Sequence, residues 1–92
     1  MRIELKKFGN ILTSRPAGKD AWSSAQAYIL SDLNSVENIE VDFSGLAVLS
    51  PSWADEFLTP LKSKYTDRVK FLPSDNPTVK ATLEIIEKQR QE

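Results

Sequence analysis

The stretch NIEVDFSGLAVLSPSWADEF, residues 38–57, decides the fold. Apolar and charged residues alternate over residues 38–44, which is the period-2 pattern of a half-buried strand. Gly45 breaks that pattern, and a short apolar connection follows it. Ser50 and Pro51 then predict the start of a helix, because serine can cap free N–H groups and proline suits the first helical position.

The segments upstream predict a hairpin and a first helix. Residues 2–8 alternate like a strand, a Gly-Asn dipeptide typical of two-residue hairpins follows, and residues 11–13 read as the return strand. Pro16 favours a helix start, and apolar residues then recur at spacings of three and four. We expect this helix to end near Asn34.

The segments downstream repeat the alternation of strands and helices. Pro60 lies inside the second helical stripe, where we expect it to kink or interrupt the helix. A last strand is expected over residues 69–71 or 69–72, and Asp75, Asn76 and Pro77 predict the start of a C-terminal helix. The order β-β-α-β-α-β-α predicts an α/β fold, with a mixed sheet of about four strands and helices packed on it.

Cysteine and histidine are both absent from the 92 residues. Their absence excludes disulfides, thiolate nucleophiles, zinc fingers, haem ligands and a Ser-His-Asp triad. Carboxylates and hydroxyls remain, and the only metals that such oxygen ligands suit well are magnesium and calcium. We therefore expect no catalytic residue, no cofactor and no metal, and a protein that is not an enzyme.

The charges are balanced, with 12 Lys and Arg against 13 Asp and Glu. A net charge of −1 argues against direct nucleic-acid binding, which normally needs a basic excess. One basic cluster spans residues 62–70, but Asp67 interrupts it, and we interpret it as a solvated face.

The length of 92 residues predicts one domain, residues 1–92. The longest apolar run, residues 46–49, is far shorter than a membrane span, so we expect no membrane partner. The first ten residues alternate charged and apolar side chains, unlike a signal peptide. These features predict a cytoplasmic protein of bacterial type.

The helix starts are the predicted functional region. If the strands that precede the helices are parallel, the helix N-termini meet at one edge of the sheet, where ligands bind in open α/β folds. The candidate residues for binding a partner or an anion are Ser14, Arg15, Ser44, Ser50, Ser52, Trp53, Asp55 and Glu56.

The stretch VDFSGLAVLSPSWADEF resembles the central strand, loop and helix start of STAS domains, the sulfate-transporter and anti-sigma-factor-antagonist family. Together with GNILTSRPAGKDAW it is more similar to a sub-family of small bacterial STAS-like proteins of uncharacterised function. The resemblance extends from about Ile3 to Leu83. It implies a non-enzymatic regulatory module that binds protein partners, such as a histidine-kinase-like ATPase or a regulator under its control.

The resemblance also implies a phosphorylation switch at the helix after the central strand. The phosphoacceptor motif of the antagonists reads Asp-Ser-Ser-Gly, with the first serine modified. Aligned without gaps, Pro51 falls on that serine and Ser52 on the second one. Since proline cannot be phosphorylated, Ser52 is the first candidate acceptor and Ser50 the second. For Ser50 we favour a helix cap.

Three candidates keep two interpretations each. Arg15 either clamps a phosphate or carboxylate, or forms an ion pair with Asp42 or Asp55. Asp55 and Glu56 either hold Mg²⁺ with Asp42 or, as we favour, complement the helix dipole. Trp53 is expected in or beside the core, although an exposed tryptophan there would anchor an interface.

Two functions follow from these residues. The first is a regulatory protein–protein interaction module that docks through the surface around Ser50–Glu56. The alternative is a small-ligand sensor that takes an anionic group, such as a nucleotide phosphate, at the helix N-termini. The sequence leaves a homodimer open in either case.

Overall fold

Three helices cover one face of short parallel strands in the computed structural model, which describes residues 1–90. The strands are β1 (Arg2–Glu4), β2 (Ile11–Leu12), β3 (Ile39–Asp42), β4 (Val48–Leu49) and β5 (Val69–Phe71). The helices are α1 (Arg15–Tyr28), α2 (Pro51–Tyr65) and α3 (Pro77–Arg90). Short 3₁₀ turns cover Leu5–Phe8, Leu30–Asp32 and Thr66–Arg68. In this part of the chain, every helix is too short or too polar to cross a membrane.

The strands form two small parallel sheets. The larger has the order β1-β3-β5, and the smaller pairs β2 with β4. On the larger sheet Ile39, Val41 and Val69 are buried, while the side chains between them, Glu40 and Lys70, are exposed. The apolar face therefore packs on the helices and the charged face meets solvent.

The α/β class and the succession of strands and helices are confirmed, but the predicted hairpin and the mixed sheet that it required are wrong. Leu5–Phe8 forms a 3₁₀ turn, in which residues three apart share a face, so that Leu5 and Phe8 both reach the core. Gly9, at φ 124°, then redirects the chain. β2 pairs in parallel with β4, which lies in the stretch expected to be a connection.

The structure also corrects two expectations about the helices, the end of α1 and the effect of Pro60 on α2. α1 ends at Tyr28, six residues before Asn34, and a 3₁₀ turn replaces its expected last part. α2 runs through Pro60 without interruption. The helix persists there because Phe57, Leu58 and Leu61 flank the proline and are fully buried.

An aromatic cluster joins α2 to α1 and to the Leu5–Phe8 turn. The Phe57 ring lies 5.0 Å from Trp53, 5.4 Å from Phe8 and 5.8 Å from Trp22, centroid to centroid. Gly18 on α1 is buried against α2, and a Cβ there would lie 2.6 Å from the backbone oxygen of Trp53. The start of α2 is thus held against α1 by close packing.

Candidate functional site

The starts of α1 and α2 lie side by side at the carboxyl ends of β2 and β4. The Ser50 hydroxyl donates to the Thr13 carbonyl at 2.7 Å, and the Ser50 N–H donates to the Leu12 carbonyl at 2.9 Å. The start of α3 adjoins the same edge, because the Leu49 N–H donates to the Thr78 hydroxyl at 3.1 Å. The structure therefore brings the three helix starts together, as the sequence predicted.

Each of these helix starts is already capped by a side chain. Ser14 Oγ accepts from the Ala17 N–H at 3.2 Å, and Ser50 Oγ accepts from the Trp53 N–H at 3.3 Å. Asn76 Oδ1 accepts from the Thr78 N–H at 2.8 Å. The cap favoured for Ser50 is confirmed. Each cap therefore occupies an N–H group that an anion at the helix start would otherwise bind.

Arg15 joins the two helices by an ion pair. Its Nη1 lies 2.9 Å from Asp55 Oδ2 and 3.1 Å from Glu56 Oε2. The hydrogen bond to Asp55 raises the pKa of the guanidinium above its ordinary value, with a smaller contribution from the one to Glu56. The side chain of Arg15 is 53 % exposed, so the pair is accessible to a competing charge. Asp55, and not Asp42, is the partner.

The exposed and half-buried polar side chains of this region form a surface that we call the helix-start rim. It consists of Ser14, Arg15, Ser52, Asp55 and Glu56. Ser52 lies half-buried in the first turn of α2, and no hydrogen bond engages its hydroxyl among the side chains that the structure describes. Thr59 Oγ1 donates to Asp55 Oδ1 at 3.0 Å and helps to fix that carboxylate. The rim thus combines one cation, two anions and one unengaged hydroxyl.

Trp53 does not belong to this surface. It is 1 % exposed and stacks on Phe57 one helical turn later, so the interpretation as an exposed interface anchor is wrong and the expected core position is confirmed. The i, i+4 spacing of the two aromatic residues was the signal, because such residues share one helix face.

Ser44 and Asp42 form a separate turn at the end of β3. Asp42 Oδ1 accepts from the Ser44 hydroxyl at 2.6 Å and from its N–H at 2.9 Å, and these bonds lower the pKa of Asp42. Within residues 1–90 no hydrogen bond or ion pair connects Ser44 to the rim. The same residues contain no cluster of three potential metal ligands, and Asp55 and Glu56 bind Arg15 instead.

Sequence reasoning missed the threonines that fix the third helix. Thr82, 2 % exposed, donates from Oγ1 to the Leu49 carbonyl at 2.8 Å, and Thr78 accepts from the N–H of the same residue. Their spacing of four within α3 was the available signal, because both hydroxyls face one side of the helix. They hold α3 against β4 immediately before Ser50.

A groove of about 430 Å³ lies elsewhere, between the end of β5 and α3. Its walls include Phe71, Leu72, Leu83 and Glu87, and no rim residue lines it. The molecule therefore presents a charged rim and, apart from it, a partly apolar groove.

Comparison with known proteins gives one finding about the family. A family model described as a STAS-like domain of unknown function matches residues 27–79, more than half of the chain. The matched region runs from the end of α1 to the start of α3 and includes Ser52, Asp55 and Glu56. Searches of curated proteins and of solved structures found no match.

Proposed function

The chain belongs to the family of STAS-like domains of unknown function, and from this membership we propose that it is a regulatory module that binds a partner protein through the helix-start rim and catalyses no reaction. The observation that carries the proposal is the Arg15 bridge to Asp55 and Glu56. It gathers three charged groups from two helices on one exposed surface, above a rigid aromatic core.

Such a rim would recognise a partner by exchanging its internal ion pairs for ion pairs with the partner. A cation on the partner can take the place of Arg15 beside Asp55 or Glu56, and a carboxylate can accept from Arg15. Complementary charges at the border of an interface raise the association rate and reject wrong partners. The partner in this proposal is a histidine-kinase-like ATPase or a regulator that such a kinase controls.

Ser52 is the regulatory residue in this proposal. Its hydroxyl lies in the first turn of α2, where the helix dipole favours a phosphate. Residues three and four positions apart are neighbours on a helix, so a phosphate on Ser52 would lie beside Asp55 and Glu56. It would repel both carboxylates and compete with them for Arg15, which changes the charge pattern that the partner reads.

Binding to histidine-kinase-like ATPases of the source organism tests the docking step. We expect Arg15→Glu to weaken binding by about ten-fold or more, because the variant repels Asp55 and Glu56 and inverts the central charge. Lys19→Glu is the matched control, since Lys19 is an exposed cation of the same helix, and it should leave binding unchanged. Calorimetric titration measures both. Equal affinities for the two variants, or no binding of the unmodified chain to any such ATPase or to the regulators that these ATPases control, would contradict the proposal.

Intact-mass analysis tests the switch separately. After incubation with the kinase and ATP, the chain should gain about 80 Da and Ser52→Ala should gain nothing. A gain that persists in Ser52→Ala and disappears in Ser50→Ala would move the acceptor to Ser50. An unchanged mass of the unmodified chain would exclude phosphorylation by that kinase.

A further inference from the structure

β4 and β5 each lie at the edge of a small sheet, but only the edge of β4 is covered. The Leu72 N–H donates to the Val41 carbonyl at 3.0 Å, so the backbone of Leu72 faces β3. The N–H and C=O groups of Val69 and Phe71 therefore face outward, where no strand lies beside them within residues 1–90. In β4 the outward groups belong to Leu49, and α3 covers both of them.

Two hydroxyls of α3 take the place of a neighbouring strand beside β4. The Leu49 N–H donates to Thr78 Oγ1 at 3.1 Å, and Thr82 Oγ1 donates to the Leu49 carbonyl at 2.8 Å. A paired strand would offer the same acceptor and donor, so the two threonines satisfy an edge that would otherwise be open. An apolar side chain in the buried position of Thr82 would leave the Leu49 carbonyl without a partner.

Asn76 extends this contact to the residues before Leu49. Its Nδ2 donates to the carbonyls of Leu46 and Ala47 at 2.9 Å and 3.1 Å. Its Oδ1 accepts from the Thr78 hydroxyl at 2.6 Å, so the asparagine also orients that threonine. We call the side chains of Asn76, Thr78 and Thr82 the α3 latch. The latch fixes the stretch of chain that leads into α2.

This stretch positions the helix-start rim. Ser50 follows Leu49 directly, and its hydroxyl donates to the Thr13 carbonyl and accepts from the Trp53 N–H. Ser52 lies two residues further along, in the first turn of α2. A displacement of Leu49 therefore moves both the cap of α2 and the turn that carries Ser52.

α3 is held less firmly by apolar packing than α2. α2 contains five buried residues, whereas α3 buries Val79, Thr82 and Ile86 among residues 77–88. On the side towards β5, the groove of about 430 Å³ leaves Leu83 only partly covered. Elements with fewer buried apolar contacts open at a lower free energy than the rest of a fold. α3 should therefore move away from the sheet more readily than α2.

We propose that α3 regulates the helix-start rim through this latch: the rim binds its partner while the latch is closed, and binding weakens when the latch opens. The inference rests on the docking function proposed for the rim. A surface that is already held in its binding conformation loses less entropy on binding, and the apparent affinity falls with the fraction of closed molecules. Opening is reversible, because water can bond the Leu49 groups that the threonines release.

Amide hydrogen exchange of the chain without a partner tests whether the latch holds the start of α2. Thr82→Val keeps the shape of the side chain and removes its bond to the Leu49 carbonyl. The amides of Ser50 and Trp53 should therefore exchange about ten-fold faster in this variant. Thr82→Ser restores the hydroxyl and should return both amides to the rates of the unmodified chain.

Ile3→Val is the matched control for a general loss of stability. Ile3 is buried in β1 and is not part of the latch. This variant should speed the exchange of the β3 amides, which open with the whole fold, and leave those of Ser50 and Trp53 unchanged. Rates at Ser50 and Trp53 that do not respond to Thr82→Val, or that respond to Ile3→Val as strongly as the β3 amides, would overturn the proposal. The start of α2 would then open only with the whole fold.

Calorimetric titration with a histidine-kinase-like ATPase or regulator that binds the unmodified chain tests the effect on the rim. Thr82→Glu should hold the latch open, because its buried carboxylate would face the Leu49 carbonyl, and it should bind at least about ten-fold more weakly. Circular dichroism checks its fold. If it does not fold, Thr78→Val/Thr82→Val replaces it and should bind about three-fold more weakly.

Two outcomes of this titration separate the latch from the docking function. A partner that binds a folded latch variant as tightly as the unmodified chain and Ile3→Val overturns the regulatory role of α3 and leaves docking through the rim intact. A chain that binds none of these ATPases or regulators contradicts the docking function and the regulatory role together, whereas the exchange rates still decide whether α3 fixes the start of α2.

Discussion

The helix-start rim and the edge of β5 are two exposed surfaces that differ in how far their polar groups are satisfied. At the rim Ser14 and Ser50 cap the helices, and Arg15 holds two carboxylates. At the edge the backbone groups of Val69 and Phe71 face outward with no strand beside them in the described chain. A partner must therefore compete for existing contacts at the rim, whereas it can add new hydrogen bonds at the edge.

Because of this difference, different chemical changes can regulate the two surfaces. A surface built from competing charges responds to one added phosphate, because the new charge redistributes every ion pair around it. A strand edge responds little to a distant charge and depends on register and on the neighbouring apolar face. The predictions that follow test the support beneath the rim first, and then the polar groups within it.

The rim depends most strongly on the aromatic residue beneath it. Trp53→Ala should lower the free energy of unfolding by about 3–5 kcal/mol, because it removes a fully buried indole that stacks on Phe57. Urea denaturation followed by circular dichroism measures the loss. A loss below about 1 kcal/mol would show that Trp53 is not part of the core.

The contact between α1 and α2 at Gly18 gives the next largest effect. Gly18→Ala should lower stability by about 1–3 kcal/mol, since the added Cβ would meet the backbone oxygen of Trp53. The sign of this change in stability is informative, because replacing glycine by alanine in a helix interior normally stabilises the helix by about 0.5–1 kcal/mol. Ser24→Ala, at an exposed position of the same helix, is the control and should be neutral or slightly stabilising. A stabilising Gly18→Ala would contradict the close packing of the two helices.

The two serines at the start of α2 should behave differently. Ser50→Ala should cost about 1–2 kcal/mol, because it removes both the cap of Trp53 and the hydrogen bond to Thr13. Ser52→Ala should stay within about 0.5 kcal/mol, as expected for a hydroxyl that makes no hydrogen bond in the part of the chain that the structure describes. Chemical denaturation of the two variants measures the loss of unfolding free energy in each. Equal losses would mean that Ser52 also has a structural role and would weaken its assignment as the regulatory residue.

The turn at Asp42 gives the smallest effect, which depends on pH. Hydrogen bonds from Ser44 lower the pKa of Asp42 in the folded chain from its ordinary value of 3.8. The resulting stabilisation is complete above that value and is lost as the pH falls through the lowered pKa. Ser44→Ala should therefore make the urea midpoint fall less steeply between about pH 5 and pH 2. Identical acid profiles for the variant and the unmodified chain would contradict this account of Asp42.

Local chemistry explains which parts of the fold could be predicted from sequence. The start of α2 follows from Ser50 and Pro51, and β3 follows from the alternation of Ile39 and Val41. Both signals act over a few residues and do not depend on the rest of the chain.

The errors concern contacts between distant residues. A Gly-Asn dipeptide between alternating segments predicts a hairpin, but β2 instead joins β4, which lies 37 positions further along the chain. Two-residue strands carry almost no periodicity, so β4 had no signal of its own. The same limit applies to β5, whose position at the edge depends on the order of three strands.

The candidate site likewise contains some features that local sequence predicts and others that depend on contacts between distant residues. Residue types and charges left two interpretations for Arg15, a ligand clamp and an ion pair with Asp42 or Asp55. The choice of Asp55 required the packing of α1 on α2, because the pair spans 40 positions. The burial of Trp53 followed from its spacing to Phe57, and the separation of Ser44 from the rim did not follow from any pattern.

Amide hydrogen exchange of the chain, alone and bound to a histidine-kinase-like ATPase, tests the central claim most directly. Docking through the helix-start rim predicts that exchange slows at residues 13–15 and 50–56, while residues 69–74 stay unchanged. Slower exchange at residues 69–74 alone, with the rim unaffected, would contradict the account and make the edge of β5 the docking surface.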